Sequence, residues 1–502
     1  MKQLLCATFE GIDAKGVEVQ FTATKGLPAF TIVGMANTAI TESKERVKSA
    51  LLSNAFTFPP KRLTINLAPS DVRKEGSHFD LSIAALIALG NYEGDISGWY
   101  LFGELGLDGS VTENALLYPI ILSLANQGAI TRAIVPNVSL SKLSKIPNIT
   151  FYGVDTLSDT LSLLKADPLP EAKSHTSSFE FEHILHNEKS YFFHEEYPLD
   201  FIDIKGQEHA KRSALIAAAG MHNLLLEGSP GSGKSMIAKR MVHIMPPLHN
   251  NEILECAKLE ILEGKEPTFT PSRPFRSPHH SSTGASIFGG GAHKAQIGEV
   301  GLAHGGILFF DELPHFSKTV LEALREPLED RRIRISRVNT KVTYDANFLF
   351  VAAMNPCPCG NLFSTTTACR CSDLEINRYK SRLSDPFLDR IDLYVQMHAV
   401  SAEDKPSVTS RQLHKKVREA FLRQKMRGQS GLNGALGDAD IARYCPLNEE
   451  TQPIIDQAIG RFGLSFRAVS RVLKVARTIA DIEGEADIGK AHLLEALSYR
   501  KR

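Results

Sequence analysis

The sequence lacks the features that mark membrane and secreted proteins. None of its apolar runs approaches the ~18 residues that a transmembrane helix requires. Its N-terminus has no signal-peptide layout. The seven cysteines are odd in number and unevenly spread, which argues against the disulfide framework of a secreted domain. These absences predict a cytoplasmic protein that does not contact a membrane.

The chain also lacks an excess of charge of either sign. It has 57 lysines and arginines against 57 aspartates and glutamates, so its formal net charge is zero. The protein as a whole is therefore not drawn to nucleic acid, and any contact with DNA has to come from local loops. The 502 residues suggest about three domains, at roughly 150 residues a domain.

A glycine-rich loop is the most informative feature that is present. Residues 228–235 read GSPGSGKS and match the pattern G-x-x-x-x-G-K-[ST]. The loop follows the apolar run Leu224–Leu226 and precedes Met236–Met245, which can continue as a helix. A chance glycine-rich turn would lack this strand and helix, so the loop is interpreted as the phosphate-binding loop of a nucleoside triphosphate site. The predicted cofactor contacts in the loop are Gly228, Ser229, Pro230, Gly231, Ser232, Gly233, Lys234 and Ser235.

A pair of acids supplies the expected metal and water chemistry. Asp311 and Glu312 directly follow the apolar strand 307–310. An acid at this strand end can hold Mg²⁺ together with the Ser235 hydroxyl, while Lys234 reaches the β- and γ-phosphates. Glu312 is then placed to orient and deprotonate the attacking water. Solvated turn acids are the alternative, but the four large apolar residues before them favour hydrolysis of ATP, with Mg²⁺ as cofactor.

Two further polar residues extend the predicted site. A third apolar strand, 348–353, is followed by Asn355, which can contact the γ-phosphate or the water. The order of phosphate-binding loop, acid pair and asparagine is that of AAA+ ATPases. Gln207 ends the segment DIKGQ, which suits the loop that cups the adenine in such proteins.

Two arginines fit the interfaces of an AAA+ ring. Arg390 lies in LSDPFLDRIDL and is interpreted as the finger supplied to a neighbouring subunit's ATP. Arg467 lies in GLSFRAVSRVLKVARTIAD and is interpreted as the arginine that reports the nucleotide to a C-terminal lid. A surface ion pair is the alternative for either one, but their positions within motifs favour the functional interpretation. Arg382 is a weaker candidate for the same interface.

The chain divides into three predicted domains and a linker. Residues 1–165 alternate strand-like and helix-like stretches and predict an α/β domain. Residues 166–196 are polar without sustained periodicity and predict a linker. Residues 197–398 predict an α/β core of AAA+ type, and residues 399–502, with helical spacing and almost no strand signal, predict a helical lid. The predicted fold class is therefore α/β, with a helical C-terminal domain.

Longer motifs resemble a known family over essentially the whole chain. RPFRSPHHSSTGASIFGGG, GEVGLAHGGILFFDELPHF, LREPLEDRRIRISR, AMNPCPCG and LSDPFLDRIDL closely resemble the ComM/YifB branch of the magnesium-chelatase-like AAA+ ATPases. The resemblance implies a homo-hexameric ring in which Arg390 faces the next subunit's nucleotide. It also implies a motor that moves on single-stranded or branched DNA and promotes branch migration during integration of transforming DNA. A chelatase-type motor that remodels a partner protein stays open as the alternative.

The N-terminal domain resembles the proteolytic domain of Lon proteases. His78 occupies the position of the nucleophile, and Tyr118 matches approximately the position of its lysine partner. Ser77 is one position away from the nucleophile. A Ser–Lys dyad needs both groups within hydrogen-bond reach, so an ATP-dependent protease is the least favoured function. The domain is expected to serve assembly or DNA contact instead.

Two basic segments are candidates for DNA contact. The resemblance implies that the insert 273–292 projects toward the pore of the ring. A metal site at its adjacent histidines is the alternative, but neighbouring histidines rarely converge on one ion. Residues 332–344 alternate basic and apolar side chains as a hairpin does, and a solvated hairpin face is the alternative there. The predicted phosphate contacts are Arg276, His279, His280, Lys294, Arg334 and Arg337.

Four cysteines form a separate pattern. Cys357, Cys359, Cys369 and Cys371 are spaced as C-x-C, nine residues, C-x-C. Four thiolates satisfy tetrahedral zinc and leave no open position, so the pattern predicts a structural Zn²⁺. The spacing is tighter than the usual C-x-x-C knuckle, and four reduced thiols are the alternative.

Overall fold

Two units make up the chain in the computed structural model. The structure describes residues 2–10, 13–172, 179–290, 296–336, 341–364, 367–401 and 403–500. The first unit comprises Met1–Glu180, Ala257–Thr268 and Ser336–Thr343. The second comprises Phe181–Cys256, Phe269–Ile335 and Tyr344–Arg502.

The first unit is built on a seven-stranded mixed sheet with helices, as expected for the α/β domain predicted from the sequence. Up to residue 172 the strands are β1 (Lys2–Glu10), β2 (Asp13–Thr24), β3 (Ala29–Val33), β4 (Arg62–Ala68), β5 (Tyr100–Leu101), β6 (Glu104–Leu105), β7 (Val111–Thr112), β8 (Arg132–Pro136) and β9 (Thr150–Val154). The helices are α1 (Thr38–Ser53), α2 (Asp80–Ala88), α3 (Leu117–Asn126), α4 (Leu140–Leu143) and α5 (Leu157–Lys165). The strand order is β3-β4-β2-β1-β5-β8-β9, and β6 pairs with β7 separately.

This sheet combines antiparallel and parallel strand pairs. β1 pairs antiparallel with β2, and β2 pairs antiparallel with β4, whereas β5, β8 and β9 continue parallel from β1. Helix α2 reads DLSIAALIA and is buried from its first residue, Asp80, to Ile87. A helix that is apolar on nearly all sides can satisfy its surface only inside a core. It therefore lies at the centre of this domain.

The chain from residue 181 onward alternates strands and helices and then becomes wholly helical. The strands are β10 (His183–His186), β11 (Lys189–Phe192), β12 (Leu224–Gly228), β13 (Leu248–His249), β14 (Phe275–Arg276), β15 (Gly289–Gly290), β16 (Gln296–Ile297), β17 (Ile307–Phe310), β18 (Arg332–Ser336), β19 (Lys341–Asp345), β20 (Leu349–Met354) and β21 (Leu393–Met397). The helices are α6 (Glu208–Gly220), α7 (Lys234–Met241), α8 (Asn250–Leu262), α9 (Gly284–Phe288), α10 (Glu299–Leu302), α11 (Lys318–Ala323), α12 (Arg325–Asp330), α13 (Asp373–Lys380), α14 (Asp385–Leu388), α15 (Ser410–Met426), α16 (Asp438–Tyr444), α17 (Gln452–Phe462), α18 (Phe466–Glu483) and α19 (Lys490–Ser498). Across the described ranges, no helix combines the length and the apolar character needed to cross a bilayer.

A five-stranded parallel sheet positions the candidate site. Its order is β14-β17-β20-β12-β21, and every pairing is parallel. Strands β12, β17 and β20 are buried at every residue, because apolar runs such as ILFF are covered on both faces. All carboxyl ends of parallel strands meet at one edge of a sheet. The phosphate-binding loop, the acid pair and Asn355 follow β12, β17 and β20 and therefore share that edge.

The helical tail packs against the sheet through α6. Helices α15 and α18 both contact α6, and their apolar faces join the core on one side of the sheet. Within the tail, the fully buried carboxylate of Asp481 accepts two hydrogen bonds from the Arg427 guanidinium, at 2.5 and 2.6 Å. It also lies 3.1 Å from the guanidinium of Arg477. A buried carboxylate is tolerated only when it is paired in this way. The predicted fold class, an α/β core with a helical C-terminal region, is confirmed.

The segment predicted as a linker, 166–196, contains more structure than expected. β10 and β11 form a hairpin, and β11 also pairs with β13. The two residues between them, Asn187 and Glu188, have φ of +47° and +61°, as a two-residue type I′ hairpin turn requires. Tyr191 and Phe192 are buried against the second unit's own residues. Sequence periodicity missed these strands because each has only four residues, and their partner β13 is distant along the chain.

Candidate functional site

The phosphate-binding loop joins a buried strand to a helix. β12 ends at Gly228, and α7 begins at Lys234. Gly231 and Gly233 turn the chain with φ of +78° and +95°, a conformation that residues with a Cβ rarely adopt. A Cβ at Gly231 would meet nothing within 4 Å, so the backbone is open to approach there. The loop therefore presents backbone at a helix N-terminus, where phosphate is favoured.

Lys234 is folded back into this loop. Its Nζ donates to the carbonyl oxygens of Gly228 at 2.6 Å and Ser229 at 3.0 Å. It also donates to Asn355 Oδ1 at 3.2 Å. Burial lowers the pKa of Lys234, and the charge of Asp311 opposes that shift. The ammonium is thus held by neutral oxygens, and phosphate oxygens would supply the negative charge that stabilises it.

A serine in the loop supports the same interpretation. Ser232 Oγ is buried, and no other group in the described parts of the chain makes a hydrogen bond with it. Buried polar atoms normally have a partner, so one without a partner marks a place where a ligand can supply it. Together with Lys234, this hydroxyl shows that the loop fits the polyphosphate of ATP.

The two oxygens predicted to hold Mg²⁺ lie side by side. Ser235 Oγ donates to Asp311 Oδ2 at 2.8 Å, and Asp311 Oδ1 accepts from the Glu312 backbone N–H at 3.0 Å. One or two protein oxygens beside substrate phosphates are what Mg²⁺ usually takes in nucleotide sites. The pair therefore fits Mg²⁺, which when bound neutralises charge on the β- and γ-phosphate oxygens.

Glu312, the predicted catalytic acid, stands next to this pair. Its φ is +52°, a sparsely populated conformation for a residue with a side chain and one that clusters at functional sites. Its carboxylate is about half exposed, and Oε2 lies 3.6 Å from His280 Nδ1. His280, predicted to contact DNA, is thus beside the acid. No sequence pattern predicts this contact, because the two residues belong to different motifs.

Asn355 directly follows β20 and is held from two sides. Its side chain accepts from Lys234, and its backbone N–H hydrogen-bonds the Tyr379 hydroxyl. Burial raises the pKa of Tyr379 to about 12, so the hydroxyl stays protonated near neutral pH. Sequence reasoning missed Tyr379, since a lone tyrosine on α13 belongs to no motif.

Gln207 lies on the other flank of the loop. Its Nε2 donates to the carbonyl oxygen of His398 at 2.6 Å. His398 follows Met397, and a Cβ added to Gly228 would lie only 2.9 Å from Met397 Cβ. The segment predicted to cup the adenine therefore lies near the phosphate-binding loop. Met397 and His398 had no sequence signal, because they are contributed by the end of β21.

The two predicted interface arginines meet at one carboxylate. Arg390 Nη2 pairs with Glu329 Oε2, and Arg467 Nη1 lies 3.5 Å from Glu329 Oε1. We predicted separate roles for them, one toward a neighbour and one toward the lid, and the structure places both side chains beside the same carboxylate. Glu329 was not predicted. The weaker candidate, Arg382, donates from Nη1 to the Pro314 carbonyl at 3.0 Å.

This arginine pair lies at the opposite end of the sheet from the phosphate-binding loop. The Arg390 carbonyl accepts from Asn223 Nδ2 at 2.8 Å. Asn223 directly precedes β12, whereas the phosphate-binding loop follows that strand. β12 has five residues, so its two ends are roughly 15 Å apart at ~3.3 Å per residue. Arg390, held by Glu329 at this end, is therefore a strand length away from its own loop.

The other DNA-contact candidates have different surroundings. Arg276 binds Glu299 through two hydrogen bonds of 2.7 and 2.9 Å, so its guanidinium already has a partner within the chain. His279 packs on His280 with ring centroids 4.1 Å apart. Arg334 lies on β18 and is exposed. Outside the described residues lie Lys294 and Arg337.

The four predicted zinc ligands converge. The Sγ atom of Cys357 lies 3.4 Å from that of Cys359 and 3.6 Å from that of Cys369, and the last two are 3.6 Å apart. With Cys371 included, all four sulfur atoms lie within 4.8 Å of one another. Among the residues that the structure describes, this is the only cluster of at least three potential metal ligands. The alternative of a metal at His279 and His280 thus gains no support.

The Lon-like position of the first unit carries a buried histidine. His78 is 0% exposed, and its Nε2 lies 2.8 Å from the Ala7 carbonyl. Ser77 donates its hydroxyl proton to Glu104, and its Oγ accepts from Asn114 at 3.2 Å. The hydroxyl nearest to the expected nucleophile position thus has a carboxylate and an amide as its partners, and not the lysine that a Ser–Lys dyad needs.

Lowering the pH should destabilise the first unit through His78. Burial lowers the pKa of His78 from 6.5 to about 4, so between these values the unfolded chain binds a proton that the folded chain does not. Stability is full above the unfolded pKa and falls as pH decreases, by ~2 kcal/mol at pH 5. The only tryptophan, Trp99, is buried in this unit, so its fluorescence can follow urea unfolding at pH 7.5 and 5.0.

A non-titrating variant provides the control for this prediction. His78→Asn removes the imidazole and should lose less stability between the two pH values than the wild type. Equal pH dependence in the two proteins would contradict a neutral, buried His78.

Protein-family comparisons match most of the chain, in three separate ranges. Residues 200–405 match the family described as magnesium chelatase, subunit ChlI. Residues 17–139 match subunit ChlI of Mg-chelatase, and residues 407–500 match the ChlI C-terminal family. These matches indicate an AAA+ ATPase that uses ATP and Mg²⁺, in agreement with the fit of the loop and the acid pair.

Two relatives are similar to this chain over almost their full length. Competence protein ComM of Haemophilus influenzae is 39% identical, over 98% of this chain and 95% of the relative. Protein YifB of Escherichia coli is 38% identical over the same shares. The magnesium-chelatase 67 kDa subunit of Heliobacterium mobile is 22% identical, over only 30% of this chain and 27% of its own. The chain therefore belongs to the ComM/YifB family of magnesium-chelatase-like AAA+ ATPases.

Proposed function

We propose that this protein is a ComM-type motor that hydrolyses ATP to move on DNA and promotes branch migration while transforming DNA is integrated. The ATP site supports the hydrolytic half of the proposal. The likeness to a relative named as a competence protein supports the other half. Its working form in this proposal is a homo-hexameric ring on single-stranded or branched DNA.

The observation that carries the proposal is the separation between Arg390 and the phosphate-binding loop. They lie at opposite ends of β12, so an arginine finger at this position can serve only the nucleotide of another chain. A contact in which one end of a subunit meets the other end of its neighbour is heterologous, and such contacts form a ring when the rotation between subunits closes. Arg467 shares Glu329 with Arg390 and is proposed to serve the same interface.

A second contact offers a route from DNA to hydrolysis. His280 belongs to the insert 273–292 and lies 3.6 Å from the Glu312 carboxylate. In the proposed ring the insert faces DNA in the pore. Movement of this insert on DNA would change the position of the acid that activates water, and hydrolysis would then depend on DNA.

The hairpin of β18 and β19 is proposed as a second DNA contact. Arg334 is exposed, whereas the neighbouring Arg332 lies 3.2 Å from Asp345. An exposed guanidinium can neutralise a phosphate and release its counterions. Because the net charge of the whole chain is zero, such local charges have to provide the attraction to DNA.

Removing the hairpin charges should separate DNA stimulation from basal hydrolysis. Arg334→Gln with Arg337→Gln is expected to abolish the stimulation of ATPase activity by branched DNA and to leave basal hydrolysis unchanged. The slope of log affinity against log salt should become shallower by about 1 to 2, since about two phosphate contacts are lost. Steady-state hydrolysis and fluorescence anisotropy at several salt concentrations measure both effects.

Arg332→Gln is the matched control, because that charge is already paired within the hairpin. It should retain most of the stimulation. Unchanged DNA binding in the double variant would remove the hairpin from the DNA path. If the wild-type ATPase does not respond to any DNA but responds to a protein, the alternative motor that remodels a protein partner would replace the proposal.

A further inference from the structure

We propose that Cys357, Cys359, Cys369 and Cys371 bind one structural Zn²⁺ and that this metal holds a loop that braces the phosphate-binding loop. The metal site does not depend on DNA activity. Its effect on nucleotide affinity rests on the ATP site described above.

The sulfur positions fit a tetrahedral metal better than they fit free thiols or disulfides. A disulfide needs sulfur atoms ~2.05 Å apart, and the separations here are 3.4 to 3.6 Å. Four thiolates ~2.3 Å from a central Zn²⁺ are about 3.8 Å apart along the edges of a tetrahedron. Two C-x-C pairs from separate segments converge on this spacing, which reduced thiols have no reason to do.

The first arm of the cluster, residues 357–360, packs against the phosphate-binding loop. Gly360 follows Cys359 and has φ of +79°. Its N–H donates to the Cys357 carbonyl at 3.0 Å. A Cβ added to Gly360 would lie 2.6 Å from Cδ and 2.7 Å from Cγ of Pro230, inside the GSPGSGKS loop. Only glycine allows the metal-binding loop to approach the phosphate-binding loop this closely.

The second arm of the cluster, residues 369–380, contacts the strand that leads into the same loop. Cys371 directly precedes Ser372, the N-cap of α13. At the other end of α13, Lys380 Nζ lies 3.1 Å from Glu227 Oε1. Glu227 is 0% exposed and, among the described residues, makes no hydrogen bond with its side chain, so this ion pair compensates the burial of its charge. Losing the metal would free the start of α13 and weaken that pair.

The two arms therefore contact Pro230 within the phosphate-binding loop and Glu227 in the strand that leads into it. The metal is the group that joins them. Without it, the C-x-C pair after β20 and the C-x-C pair before α13 are connected only by the intervening loop. We expect both contacts to weaken without the metal, and ATP to bind more weakly.

Metal analysis of the purified full-length protein tests the site itself. Mass spectrometry of the metal content should find about one zinc per chain and no iron, as expected for a four-thiolate structural site. Cys369→Ser should lose most of the zinc, and Cys371→His should keep it, because three thiolates and an imidazole also bind zinc. Cys256→Ser, outside the cluster, is the control. Wild-type protein without zinc, or with iron in its place, would overturn the proposal.

Nucleotide affinity tests the brace without relying on hydrolysis. Removing zinc with a thiol-reactive mercurial and a chelator should weaken binding of a fluorescent ATP analogue by 10-fold or more. Trp99 fluorescence should stay unchanged and show that the first unit remains folded. Loss of zinc with unchanged affinity for the analogue would contradict the proposal that the metal-bound loop supports the phosphate-binding loop. Failure of the untreated protein to bind the analogue would instead contradict the assignment of the ATP site.

A glycine variant separates the brace from general damage. Gly360→Ala should keep its zinc and weaken ATP binding several-fold, because the added Cβ pushes on Pro230. Gly428→Ala is the matched control, since Gly428 has a similar φ of +78° and nothing within 4 Å of its added Cβ. Equal nucleotide affinity in the two variants would show that contact with Pro230 is not what supports the loop.

Discussion

Glu312→Gln should bind ATP with wild-type affinity and hydrolyse it at least ~100-fold more slowly, because a positioned general base contributes about 10²- to 10⁴-fold. The amide keeps the shape of the side chain and cannot accept the proton of the attacking water. Binding should survive because Lys234, Ser235 and the loop are unchanged. A fluorescent ATP analogue measures binding, and phosphate release measures turnover.

Two comparison variants sharpen this expectation. Lys234→Ala should lose affinity for ATP, because it removes the ammonium that reaches the phosphates. Glu326→Gln changes an exposed carboxylate on α12 in the same way and should leave both quantities unchanged. Wild-type turnover by Glu312→Gln would mean that another group activates the water.

Arg390→Ala should lose hydrolysis by on the order of 10³-fold while retaining ATP binding, which is the range expected for an arginine finger. Its phosphate-binding loop is intact, and the missing guanidinium belongs to the neighbour's site. Mixing it with Glu312→Gln protein should restore activity, because some interfaces then pair an intact arginine with an intact acid. At equal mixing about a quarter of the sites are complete, since two independent choices of one half are required in a head-to-tail ring.

Arg382→Ala serves as the control for the finger. Its side chain donates to the carbonyl of Pro314, two residues after Glu312 of its own chain, so any loss of activity arises within that chain and mixing should not rescue it. The measurement is the ATPase rate across mixing ratios, with mixed rings verified by mass spectrometry. A lack of rescue in verified mixed rings would place the Arg390 function within its own chain.

The sequence was sufficient for the parts of the site that follow strands. Asp311 and Asn355 each come after an apolar run, and buried parallel strands bring such ends to one edge. Local pattern and spacing therefore predict both the elements and their meeting point. The same patterning predicts the buried helix α2 and the helical tail, whose apolar spacing is sustained over many residues.

What the sequence could not predict are contacts between segments that are remote along the chain. The approach of Gly360 to Pro230 and the pairing of His280 with Glu312 depend on how loops pack, and no local pattern encodes that. Glu329 was missed because an acid on a short helix resembles any solvated residue. The hairpin of β10 and β11 was missed because its strands are short and are completed by β13.

The shared carboxylate of Glu329 makes the arginine finger exchangeable. In a single chain the Glu329 carboxylate contacts both Arg390 and Arg467, so its one negative charge is shared between two guanidinium groups. To engage a neighbour's nucleotide, the arginines have to exchange one carboxylate for phosphate oxygens. A triphosphate carries one more negative charge than a diphosphate and extends one phosphoryl group further toward the arginines, so it competes better with the carboxylate. Neighbouring subunits would then bind each other more tightly with ATP at their interface than with ADP. Hydrolysis would weaken the interface at which it takes place.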